Sequence, residues 1–152
     1  MIGRIYSVAI GSQAQTAAKT LIEVAAASDS VVFVERMHIG QTSFDTSENL
    51  GVKVEDITTT GTGTATTPRP FMEGDAAFGG VVETNATVEP TYSGTVFIEQ
   101  GFNVLSGFEW TPANDDQMLC ISPSQLVGMM LDVAPSASMD FSYTMILREI
   151  IV

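Results

Sequence analysis

The chain has 152 residues, with 18 Asp plus Glu against six Lys plus Arg, a formal net charge of -12, 45% apolar residues and 16% charged ones. A field of that sign repels phosphate backbones and argues against a nucleic-acid partner, while a single histidine, His38, and a single cysteine, Cys120, cannot supply an internal disulfide or a His-rich metal centre. A chain of about 150 residues buries about 70% of its unfolded surface, so one domain spanning 1–152 is expected, with one core and no cofactor.

In chain order, Arg4 to Ile10 alternates Arg4, Tyr6, Val8, Ile10 against Ile5, Ser7, Ala9, the period of a strand with two unlike faces. Thr20 to Ala25 and Val31 to Gln41 follow around Ser28-Asp29-Ser30, a turn signal that predicts a hairpin. Within the second of these, His38 stands in register with Val32, Val34 and Arg36 and reads as a structural histidine. Val52 to Ile57 predicts a half-exposed strand with Val52, Val54 and Asp56 on one face and Lys53, Glu55 and Ile57 on the other.

From Thr58 to Pro70 the chain is Thr/Gly/Pro-rich, and a projecting loop or arm is expected over 58–70. Asp75 to Phe78 could open a short helical turn that Gly79-Gly80 stops at once. Val81–Val88, Thr95–Glu99, Asn103–Trp110, Met118–Ile121, Leu126–Val133 and Met139–Ile150 complete the strands. Eight to ten short antiparallel strands with at most one short helix define an all-β, single-domain jelly roll or β-sandwich.

No residue pattern carries chemistry. Cys120, between Leu119 and Ile121, reads as a small buried hydrophobe suited to a reducing cytoplasm. Glu23, Glu35, Glu55, Glu83, Glu89, Glu99 and Glu109 fall mostly singly inside strands, the pattern of a solvated face or of edge protection. Gly61-Thr62-Gly63 lacks the lysine and the strand-to-helix setting of a phosphate loop. Met129, Met130, Met139 and Met145 suit a core or a subunit interface. Phe108 and Trp110 share one strand face and read as core, although an exposed Trp110 could stack on a sugar ring. No stretch approaches the roughly 20 apolar residues of a membrane helix, Leu126 to Leu131 being the longest, so no membrane association is expected. The low charged fraction suits apolar surface covered by neighbouring subunits.

The order of Gly3-Arg4-Ile5-Tyr6-Ser7-Val8, Thr67-Pro68-Arg69-Pro70, Asp75-Ala76-Ala77-Phe78-Gly79, Asn85-Ala86-Thr87, Gly107-Phe108-Glu109-Trp110-Thr111-Pro112 and Ala134-Pro135-Ser136 resembles small virion proteins of tailed bacteriophages, similar to jelly-roll head decoration or cement proteins. The resemblance implies a non-enzymatic structural protein, made in the bacterial cytoplasm, that sits on the capsid exterior. It would bind the major capsid protein as a homotrimer and stabilise the expanded head. Ile2, Arg4, Tyr6, Thr62, Thr64, Pro68, Arg69 and Pro70 are the expected capsid or subunit contacts, since flexible segments can order on an adjoining surface. The alternative is a tail- or fibre-associated jelly roll that binds host glycans.

Overall fold

The computed structural model describes residues 3–43 and 46–152. Its strands are β1 (Arg4–Gln15), β2 (Lys19–Ala25), β3 (Ser30–Gln41), β4 (Asn49–Thr59), β5 (Thr62–Ala65), β6 (Arg69–Pro70), β7 (Val81–Val88), β8 (Thr91–Asn103), β9 (Phe108–Trp110), β10 (Leu119–Ile121), β11 (Leu126–Leu131) and β12 (Met139–Ile151). Among the described residues the helical content is a single 3-10 turn, Asp115–Gln117, and the helical turn expected at Asp75 does not form. Phe78 is instead drawn into the core.

Two six-stranded antiparallel sheets face each other. The first runs β10-β3-β12-β1-β6 with β9 also on β3, and the second runs β5-β7-β2-β11-β4-β8. Setting aside β5 to β7, strands pair from the outside of the sequence inward: β1 with β12, β2 with β11, β3 with β9 and β10, β4 with β8. That nested pairing, alternating between two sheets, is jelly-roll topology.

The expected hairpin of the second and third strands is absent because β2 lies in one sheet and β3 in the other. Their connection passes over the end of the sandwich from one sheet to the other, so Leu21, Ile22 and Val24 lie across the core from Val32 and Val34. Period-two patterning is equally satisfied by a hairpin and by a crossing between sheets, since both bury one face.

β12 shows the strictest alternation: Met139, Phe141, Tyr143, Met145 and Leu147 are fully buried while the residues between them face outward. Each such side chain contributes about 1.5–3 kcal/mol through its removal from water. Met129 joins them, so most of the methionine cluster is core.

β3 departs from simple alternation. Its register with β12 slips between Ile146/Leu147, which pair with Arg36 and Val34, leaving Glu35 as an extra residue. The bulge turns Glu35 and Arg36 both outward, buries Met37 and Ile39, and exposes His38. His38 therefore does not share a face with Val32 and Val34.

The segment 58–70 does not project as a free arm: most of it is strand-paired, with short connections at 60–61 and 66–68. β4 runs on to Thr59, β5 adds to β7 at the edge of the second sheet, and β6 adds to β1 at the edge of the first. The chain thus bridges the two sheets along one flank of the sandwich, and Pro68 is buried in the crossing.

Candidate interaction surface

Four of the strand glutamates are loop anchors. Glu23, 5% exposed, accepts hydrogen bonds from Thr60 Oγ1 (2.5 Å) and the Gly61 amide (3.1 Å). Glu83 accepts from the Gly63 amide (2.9 Å), Glu55 from the Gly94 amide (2.7 Å) and Glu149 from the Gly79 amide (3.0 Å). At Gly61, Gly63 and Gly79 the missing side chain lets the backbone approach closely enough for a carboxylate to reach its N–H, Gly94 instead supplies a positive φ of 85°, and a charged acceptor strengthens each bond. Glu23 and Glu55 are buried, contrary to the solvated face expected for them, and Glu149 is buried as well. Glu89 completes the set by accepting from the Thr20 amide and hydroxyl.

The expected contact residues separate into two groups. Thr62 and Thr64 are exposed on β5 at the edge of the second sheet. Arg4, Tyr6, Arg69 and Pro70 come together at the edge of the first, where Tyr6 pairs with Pro70 and Ser7 with Arg69. Ile2 lies outside the described residues.

Tyr6 and Pro68 are buried and unsuited to a direct contact with another molecule. The Tyr6 ring packs edge-on against Phe78 at 5.3 Å between centroids, and its hydroxyl donates to the Ala76 carbonyl (2.9 Å). Burial raises the Tyr6 phenol above its ordinary pKa, and the Glu149 carboxylate adds to this while Arg4 opposes it. These residues fasten the 71–80 loop to the end of the sandwich. Arg69 alone of the β6 pair is exposed.

The outer face of the first sheet gathers residues the sequence did not single out. Ile5, Phe33, Ile146 and Ile150 point outward and are half-buried, where an outer sheet face is ordinarily polar. Beside them Phe71 is 63% exposed and Met72 70% exposed, held on the β1 edge by the Phe71 amide donating to the Ile5 carbonyl (2.9 Å).

A shallow groove of about 550 Å³ runs across this face, lined by Ile5, Phe71, Ile146, Thr111, Glu35, Arg36 and Glu109. Two ion pairs border it: Arg36 Nη2 to Glu109 Oε1 at 2.5 Å, and Arg148 to Glu35. The β3 bulge supplies both Glu35 and Arg36. An apolar floor with fixed charges at the rim is the makeup of a protein-binding patch.

Cys120 also lies on this face. It is exposed, because the three residues of β10 alternate and it is Leu119 and Ile121 that point inward. Partial burial raises its thiol pKa, which keeps it protonated and weakly nucleophilic.

Among the described residues no group of three or more His, Cys, Asp or Glu side chains is placed to hold a metal ion. No known protein family, curated protein or solved structure matches the chain.

Proposed function

We propose that this protein is a non-enzymatic structural subunit of a bacteriophage virion that binds the outer surface of the expanded head and stabilises it. The observation that carries the reading is the outer face of the first sheet: an apolar groove of about 550 Å³, continuous with exposed Phe71 and Met72 and rimmed by ion pairs. The major capsid protein is the partner, and the subunit acts as a homotrimer. Several weak sites engaged together convert modest single contacts into lasting attachment through effective concentration. The -12 charge keeps such a subunit from competing for the packaged genome.

Of the residues expected to make the contact, exposed Arg69 stays in the proposed surface, with Ile5, Phe71 and Ile146 added. Tyr6 acts by holding the 71–80 loop beside it.

The test is co-sedimentation with expanded heads that lack the protein. Saturation at a fixed ratio to capsid subunits supports the proposal. Intact expanded heads that bind none of it, judged by electron microscopy, overturn it.

A further inference from the structure

On the flank opposite the 58–70 bridge, the sandwich is open between the edge strand β8 and the short strands β9 and β10. A pocket of about 320 Å³ occupies this opening. One wall carries Phe97 of β8, 46% exposed, and the other carries Trp110 of β9, which packs against the core on one side and lines the pocket with the rest of its half-buried ring. Ile98 and Leu119, which pack into the core, form its floor. The 3-10 turn places the exposed side chains of Asp116 and Gln117 at its mouth.

We infer that this pocket binds a neutral saccharide. A pyranose ring has apolar C–H faces and a perimeter of hydroxyls. Two aromatic side chains offer surface for the faces, while a carboxylate and a carboxamide accept from and donate to the hydroxyls. The volume lies at the lower end of the range for small-molecule sites, which suits one or two sugar rings. Asp116 at the rim, on a chain of net charge -12, selects against acidic sugars.

The inference is independent of the proposed capsid face, because the pocket is on a flank and the groove on the outer surface of a sheet. Trp110 is the sole tryptophan and lines the pocket, so its fluorescence responds to a ligand bound there.

The experiment titrates the whole protein with glucose, galactose, N-acetylglucosamine and their short oligomers, up to about 50 mM, well above a millimolar dissociation constant. The expected result is a saturable change in Trp110 emission with at least one of them. Asp116→Ala and Gln117→Ala should then weaken binding about tenfold, with thermal unfolding unchanged. No response from any sugar, while acrylamide quenches Trp110 and so reaches the pocket, overturns the inference. So does a response that both variants leave intact.

Discussion

Tyr92 lies directly over Gly128: a Cβ at that glycine would stand 2.6 Å from the Tyr92 hydroxyl and 2.9 Å from Ile57 Cδ1. Gly128 pairs with Glu23 on one side and Glu55 on the other, so the phenol occupies the gap between two buried carboxylates. Thr20 Oγ1, 2.6 Å from the hydroxyl, leaves the ring little room to move. Gly128→Ala should destabilise the fold by about 1–3 kcal/mol, the usual cost of overpacking. Denaturant unfolding checks this, and in a Tyr92→Ala background the same substitution should cost clearly less.

Glu23→Ala removes the acceptor for both Thr60 and Gly61. A loss of about 1–3 kcal/mol is expected, because two hydrogen bonds to a buried carboxylate at the start of the bridging segment are removed. Amide exchange at Gly61 and Gly63 should accelerate more than exchange in β12. Equal acceleration throughout would mean that the carboxylate does not anchor this segment in particular.

The Tyr143 hydroxyl is buried without a hydrogen-bond partner among the described residues. Tyr143→Phe should therefore be neutral or stabilising by about 1 kcal/mol, since it removes a desolvated polar group and keeps the ring. Thermal unfolding at neutral pH measures it.

Burial raises the pKa of Tyr143 from 10.0 to about 12, and Tyr6 and Tyr92 are also raised, mainly by burial. The folded chain holds these protons more tightly than the unfolded chain does. Their contribution to stability is complete below about pH 10 and is lost as the pH rises through about 12. Stability measured from pH 8 upward should hold level and then fall, and Tyr143→Phe should make that fall shallower.

Phe71→Ser replaces an exposed side chain and should shift unfolding by no more than about 0.5 kcal/mol, while Ile146→Asp, at a half-buried position of β12, should cost about 1–2 kcal/mol and leave the chain folded. Head binding should drop at least about tenfold if the outer face of the first sheet is the contact. Unchanged binding by both variants would move the contact elsewhere on the molecule.

The all-β class and most strands were legible because one-sided burial imposes a period of two, clearest in β12. Which strands pair was not, since Leu21 and Val32 obey the same alternation whether β2 and β3 are neighbours or face each other. The outer-face site was hidden by one residue: a bulge at Glu35 reverses the second half of β3 and presents Arg36 and His38 outward. A paired, bridging 58–70 was equally obscure, because composition marks Thr and Gly as loop formers while the Glu23 and Glu83 carboxylates that fix Gly61 and Gly63 come from distant strands. Cys120 misled because three residues of a short strand give too little pattern to set its phase.

The position of β12 has a consequence for synthesis. It lies between β1 and β3, and Arg4 finds its partner in Glu149. On the ribosome, the first sheet cannot close until the last strand has emerged, so β1 and β3 must wait with one edge open and their apolar faces unshielded. Non-local closure of this kind is slow and leaves nascent chains prone to association. High expression rates should therefore yield inclusion bodies more readily than the stability of the finished fold would suggest.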